Sequence, residues 1–353
     1  MDRTRPTDEP GLLVSILGTA ETGVSFDDPR SIPEMVLSVV EDALDDADLE
    51  WHDIDAVVTA SVDLFDGLTA SSIAVTEVVG AVMKPETRIA ADGLAAAIHA
   101  AHQIAAGAYD RILVVAHGKA SMAPYWDLTA WAMDPIFLQP LQVDFLTMAG
   151  LQASSLAHSD ETAVSRWATI VEQRRSAAPR GIAGPVSAAE VMASPVVASP
   201  LRAEMGAPVG DGACAVILGS APGGTVMVTA TGHDLEPHHP GARDLRRWTG
   251  LQRACRRAYM AAGIVSPGFA AVEPSCLFPH EEELFVAATG IGAETNHSVD
   301  GGLFSGTAPA ISGLSRLIRV AHTLNGHRGE RGLAHGTWGP AGQGQAVAIV
   351  EAR

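Results

Sequence analysis

Three cysteines and thirteen histidines are the residues of this 353-residue chain best suited to nucleophilic or acid–base chemistry. Cys276 stands in the run Glu273-Pro274-Ser275-Cys276-Leu277-Phe278, with His280 just beyond it. A thiol on a loop near a helix N-terminus, with His280 or His335 close by, has a lowered pKa and attacks carbonyls. The same cysteine also reads as a small side chain filling a half-buried space. Cys214, Cys255 and Cys276 are odd in number, far apart and without a Cys-x-x-Cys spacing, so neither a disulfide framework nor a zinc site is expected. His99 and His102 share a predicted helix, and His233, His238 and His239 share a polar loop, but no thiol or carboxylate completes a ligand set. His117 and His335 each sit in an Ala-His-Gly triplet closing a predicted strand, and this matching placement points to a structural role. The glycine-rich runs PVGDGACA and GGLFSG lack the spacing of phosphate-binding loops and read as tight turns.

The elements that must position these residues repeat at low resolution. A strand Leu12–Gly18, a helix Pro33–Ala47 capped by Ser31, and a strand Ile54–Ala60 open the chain. An alanine-rich helix over Ala90–Gly107 and strands Ile112–Ala116 and Ala213–Leu218 complete a first half. Strand Thr225–Thr231, helix Thr249–Ala262, strand Ala270–Glu273, helix Ser312–Leu324 and strands Gly332–Ala334 and Gln345–Val350 form a second. Alternation of this kind predicts an α/β fold with parallel strands and right-handed crossovers. The alanine-rich helix has small side chains around most of its circumference, as a helix between two sheets requires; high helix propensity alone also accounts for it. Residues 119–205 interrupt the first half, and Met122–Leu151 is rich in Trp, Pro and Met, so an inserted loop subdomain is expected to cover the site.

Several segments resemble one family. RIAADGLAAAIHAAHQIAAGAYD is similar to the buried central helix of the thiolases, which open it with Cys-x-x-Gly and close it with a glycine ahead of Tyr-Asp. SVVEDALDDADLEWHDIDAVV, AAGAYDRILVVAHGKAS, VSAAEVMASPVVASPLRAEMGAPVGDGACAVIL, RRAYMAAGI and GGLFSGTAP follow in the family's order over nearly the whole chain. The resemblance is to the thiolase superfamily, closest to its sterol-carrier-protein-X type. It implies a thiolase fold: a duplicated five-layered α-β-α-β-α sandwich. The halves would be residues 1–118 plus 206–222, and 223–353, with 119–205 as the inserted loop subdomain.

The same comparison implies a dismantled site. Ala90 falls where the nucleophilic cysteine belongs, Ser275 where the family has Asn or His, and Ala308 where its Gly-His-Pro histidine belongs. Alanine cannot attack a thioester, and Ala90, Ser275 and Ala308 together read as vestigial positions. His335, at the turn facing the family's pocket, is the surviving general acid/base candidate, with Cys276 and Ser275 behind it. Gly93, His117, Phe278, Gly306, Pro309 and Gly336 are the expected pocket residues. A tyrosine-based, cysteine-free retro-aldolase is the family's precedent for other chemistry. This chain has only Tyr109, Tyr125 and Tyr259, none of them on the S-C-L-F or G-T-W-G positions.

Three functions follow. The first is a thiolase-like subunit without thiolase or Claisen activity, paired with an active thiolase homologue or a zinc-ribbon/OB-fold accessory protein in acyl-CoA or polyketide-type metabolism. The second is an acyltransferase or retro-aldolase acting on a CoA ester through non-standard residues. The third is a non-catalytic acyl-ligand or scaffold protein. The family's usual assembly implies a homo- or heterodimer through the core. No tightly bound cofactor and no metal are expected, and a CoA thioester is the expected substrate or ligand; Arg174, Arg175 and Arg180 are candidates to meet its charge. Net charge is −18, which disfavours nucleic acid and anionic membranes. The hydrophobic fraction of 47% allows a large core, and the charged fraction of 18% lies below the usual quarter. The polar opening MDRTRPTDEPG carries no apolar signal run and no apolar stretch reaches membrane-spanning length, so a cytoplasmic location is expected.

Overall fold

The computed structural model describes residues 12–67, 71–178, 181–220, 224–292, 295 and 297–353. The first half runs β1 (Val14–Glu21), α1 (Ile32–Ala47), β2 (Ala56–Ala60), α2 (Ser71–Val75), β3 (Glu86–Ile89), α3 (Gly93–Ala105) and β4 (Arg111–Lys119). Then come α4 (Tyr125–Trp131), α5 (Phe145–Ala157), α6 (Ala163–Ser176), α7 (Ala188–Ala193), the short pair β5 (Val196–Ala198) and β6 (Leu201–Arg202), and β7 (Asp211–Gly219). The second half runs β8 (Val226–Leu235), α8 (Thr249–Ala261), β9 (Ala271–Glu273), α9 (Pro279–Thr289), α10 (Ser312–Leu324), β10 (Arg331–Trp338) and β11 (Gly344–Ala352). Helix α1 starts where its sequence says it should. Ser31 Oγ accepts the Glu34 N–H, Glu34 returns a carboxylate to the Ser31 N–H, and Met35, Val36, Val39, Val40 and Ala43 bury one stripe.

Among the described residues nine strands join in the order β3-β2-β4-β7-β1-β8-β11-β10-β9. The expectation of parallel strands holds only for β3-β2-β4 and for β9-β10; β7, β1, β8 and β11 pair antiparallel with their neighbours. For β10 and β11 the reason is local: five residues join them, too few for a crossover helix, so the chain turns back on itself. Both halves use the same plan, since β1-α1-β2, α3-β4 and β7 correspond in order and pairing to β8-α8-β9, α10-β10 and β11. They meet at a short seam where Val14–Ile16 of β1 pairs with Val226–Val228 of β8.

Alternation along the strands sorts side chains into layers. Val58, Ile112, Val114 and Val216 from the first half, and Ala334, Ala346 and Ala348 from the second, pack on α3 and α10 in one central core. The opposite faces carry Val57, Leu113 and Val115 under α1, and Val272, Leu333 and Ile349 under α8 and α9. The sequence of layers is α1, sheet, α3 with α10, sheet, α8 with α9: five layers.

The central helices touch closely. A Cβ on Gly93 would lie 2.7 Å from Leu314 Cβ and 2.9 Å from Ala116 Cβ, so only glycine fits there. The helix histidines fasten the halves crosswise. His102 of α3 bonds Thr231 of β8 at 2.9 Å, and His322 of α10 bonds Thr19 of β1 at 2.9 Å.

Candidate functional site

The N-terminal ends of α3 and α10 meet at one side chain. Asp92 is the N-cap of α3, and its Oδ1 accepts the Leu94 N–H at 2.9 Å. Its Oδ2 accepts the Gly313 N–H and the Ser312 hydroxyl of α10, each at 2.8 Å. Helix α10 has no capping side chain of its own, because Ile311 occupies its N-cap. A Cβ on Gly313 or Gly336 would overlap Asp92, so both glycines make room for the carboxylate. Burial pushes its pKa up to about 6, although three hydrogen bonds favour the charged form.

Asp92 forms part of the wall of a cavity of about 80 Å³. Val62 and Phe65 come from the loop after β2, and Ala91 from the turn into α3. Tyr125 and Phe145 come from α4 and α5, Leu277 and Glu281 from the start of α9, Thr307–Ala310 from the loop before α10, and Thr337–Gly339 from the end of β10. Glu281 Oε2 accepts the N–H groups of Leu277 at 2.7 Å and Phe278 at 3.2 Å. Burial lifts its pKa to about 7. Tyr125 packs edge-on against Phe65 (5.0 Å) and Trp126 (5.1 Å), and burial raises its phenol. Two carboxyls displaced toward neutrality and one phenol in an apolar wall can hold and move protons.

A wider cleft of about 440 Å³ adjoins the cavity, with Val209 common to both. Trp126, Phe26, Phe278, Arg175 and Arg202 line it. Arg175 pairs with Glu204 at 2.8 Å, and Arg202 donates to the Ser194 carbonyl. Arg174 turns away to Glu282 at 2.9 Å and the His297 carbonyl; Arg180 lies outside the described residues.

The structure disperses the residues picked out in the sequence. Ala308 and Pro309 stand on the cavity wall, whereas Ala90 is exposed and its neighbour Ala91 faces the cavity. Phe278 lines the cleft and stacks on His280 at 5.9 Å, and Gly306 borders a smaller cavity with Thr307 and Arg316. Gly93 and Gly336 sit behind the wall at the helix crossing.

Neither Cys276 nor His335 is on the cavity wall among the described residues. Cys276 is buried in the core beneath α8 and α9, and burial, with Glu281 and Glu282 nearby, pushes its thiol well above the ordinary value. His335 is enclosed between Phe285 (5.1 Å) and Trp248 (5.7 Å). Its Nδ1 accepts the Ser275 N–H at 3.1 Å, which leaves Nε2 to donate to Gln345 Oε1 at 2.7 Å. Both nitrogens are spent, and burial lowers its pKa to about 4. Ser275 serves by its backbone, its own hydroxyl buried without a hydrogen-bond partner among the described residues. His117 is fully buried 3.6 Å from Asp66, with its pKa lowered to about 4 by burial. Among the described residues no three histidines, cysteines or carboxylates cluster as metal ligands, and no helix is long and apolar enough to cross a membrane.

No protein-family model matches the sequence, and no curated protein matches it. Solved structures do. The Ltp2-ChsH2(DUF35) aldolase superposes with a TM-score of 0.76 at 16% identity, covering 98% of this chain and 99% of that one. A monomeric SCP2-thiolase like protein type 1 from Mycobacterium smegmatis gives 0.76 at 18% identity, over 98% of this chain and 78% of that one. The acetyl-CoA acetyltransferase of Bacillus anthracis gives 0.79 at 13% identity, over 98% and 100%. The chain has the thiolase fold. Within that fold the start of α3, the Thr307–Pro309 loop and the end of β10 converge on one cavity, where Asp92, the cap of α3, meets Glu281 of α9 and Tyr125 of α4. Sequence reasoning passed over the first two. Asp92 stood at an unspecified position of the Cys-x-x-Gly pattern, and Glu281 lay in the acidic run His-Glu-Glu-Glu, which reads as solvated surface.

Proposed function

We propose that this chain is a thiolase-fold subunit that binds an acyl thioester but has no thiolase or Claisen activity of its own. One observation carries the reading: neither a thiol nor an imidazole stands among the described residues lining the cavity. An acyl-enzyme needs a nucleophile, and a base to activate it, within hydrogen-bond reach. The three cysteines are buried, and Cys255, which borders a separate surface groove, has its thiol pushed up to about 12 by burial. The cleft beside the cavity is consistent with a CoA-type ligand, since Arg202 and three aromatic rings suit a phosphorylated, ring-bearing tail, with Arg175 paired to Glu204 in the same wall.

Pairing with a second protein, an active thiolase homologue or a zinc-ribbon/OB-fold accessory chain, completes the reading. That a protein of this fold is named as the Ltp2-ChsH2(DUF35) aldolase supports it. The test is a thiolysis assay with acetoacetyl-CoA and CoA, run beside calorimetric titration with acetyl-CoA. Binding without turnover is expected; iodoacetamide-sensitive thiolysis by the pure chain would overturn the proposal. A second reading, cysteine-independent chemistry on the bound thioester, is favoured by the two carboxyls and the phenol of the cavity.

A further inference from the structure

We propose that Glu281 is a general base that removes an α-proton from a short acyl thioester held in the cavity, while the Tyr125 hydroxyl donates to the thioester carbonyl oxygen. The inference rests on the thioester-binding reading above and adds a reaction to it.

Three ionisable groups of the cavity differ in what they have left to offer. Asp92 has both carboxylate oxygens engaged, by three donors, and works as a cap. Glu281 has only Oε2 engaged, by the Leu277 and Phe278 N–H groups; among the described residues Oε1 has no hydrogen-bond partner. The side chain is only 4% exposed, so what Oε1 can meet is a ligand in the cavity. Tyr125 likewise makes no hydrogen bond to a described residue, and its ring is fixed between Phe65 and Trp126. A buried, oriented carboxyl with one free oxygen facing an apolar cavity is poorly solvated when charged, and that raises its basicity. Burial places its pKa at about 7, where a base is half-ionised under physiological conditions.

The groups around Glu281 are Asp92 and Tyr125 across the cavity, Cys276 and His280 on either side of the α9 start, and Glu282, which Arg174 of α6 neutralises. Burial holds His280 neutral, its pKa lowered to about 3, and leaves it bonded to Gln152, so it does not compete for the proton. The step balances without a co-reactant. The Cα–H bond breaks, the proton goes to Glu281 Oε1, and the electron pair moves onto the carbonyl oxygen held by Tyr125. Return of a proton exchanged with solvent restores the thioester.

The experiment follows methyl-group deuteration of two probes in D₂O by proton NMR: acetyl-CoA, and S-acetyl-N-acetylcysteamine, which lacks the nucleotide. The wild-type chain is expected to exchange the methyl protons faster than buffer, with a rate that rises through pH 7. Glu281→Gln, which keeps an acceptor for the two N–H groups, should lose at least about 100-fold in rate with little change in binding, and Tyr125→Phe about 10- to 100-fold. Exchange of the short thioester without acetyl-CoA binding supports the base and removes the CoA reading. Saturable acetyl-CoA binding with no exchange, or a Glu281→Gln chain as fast as the wild type, overturns the base and leaves the binding reading intact. If neither probe binds, both proposals fall.

Discussion

The Gly313 N–H donates to Asp92 Oδ2 at 2.8 Å while Asp92 caps its own helix, so a single carboxylate closes the first turns of both central helices. Two helix dipoles converge on it, each worth about half a positive charge at its N-terminus. Asp92 lies two residues beyond Ala90, the position that the sequence resemblance aligns with a nucleophile.

Removing that anion should be costly. Asp92→Ala leaves two backbone donors and the Ser312 hydroxyl without a partner, at about 1–3 kcal/mol for each buried group. Asp92→Asn, which keeps an acceptor oxygen, should lose less. Its deficit should also shrink with pH. The folded-state pKa of Asp92 is raised from 3.8 to about 6, so its contribution is fully present below pH 3.8 and is lost as pH rises to 6. Urea unfolding of the two chains at pH 4.5 and 7.5 should show the difference narrowing by about 2 kcal/mol, at about 1.4 kcal/mol per unit.

A cysteine placed at the exposed Ala90 should not be a reactive thiol. In Ala90→Cys the charge on Asp92 offsets the two helix dipoles, and the thiol should titrate near the ordinary value of about 8.5. In the double variant with Asp92→Ser, which still caps, the dipoles act unopposed and the thiol pKa should fall by about one unit or more. Rates of iodoacetamide alkylation against pH measure both; equal profiles would remove the electrostatic argument.

His335 should behave as a structural residue. His335→Ala strands the Ser275 N–H and Gln345 and opens a hole beside Phe285 and Trp248, at a cost of about 3–5 kcal/mol in denaturant unfolding. Acetyl-CoA affinity of the folded fraction should stay within about twofold. Its folded pKa lies below its ordinary value, so its contribution is present above pH 6.5 and is lost as pH falls toward 4.

Arg175 and Arg202 should set affinity for the phosphorylated part of the ligand. Arg202→Ala should weaken acetyl-CoA binding about 10-fold in calorimetry and Arg175→Ala less, because Glu204 already offsets its charge, and both should leave binding of S-acetyl-N-acetylcysteamine unchanged. An equal loss for both probes would place the arginines elsewhere in the binding event.

How much of this was legible in the sequence depends on the kind of signal. Helix α10 runs Ser312–Leu324 as its periodicity predicts, and Ser31 caps α1, because both signals are local. Strand direction was not local: β7 and β8 are as apolar as parallel strands but pair antiparallel, a choice made by the connections. The carboxyls of the cavity were invisible for the same reason. Glu281 looks exposed in its run of acids until the Leu277–Phe278 turn folds over it, and Tyr125 lies far from every motif that named the pocket. His102 offered no complete ligand set in the sequence; its bond to Thr231 gains its meaning from the matching bond of His322 to Thr19.

That matching has a consequence for cutting the chain. A break between Gly219 and Val226 separates the two repeats, but each fragment then keeps an imidazole whose threonine travels with the other. Each also keeps one central helix stripped of its companion along the crossing at Gly93 and Leu314. The repeats are reciprocal templates rather than modules: fragments should stay unstructured apart and reassemble when mixed, as a self-complementing split protein.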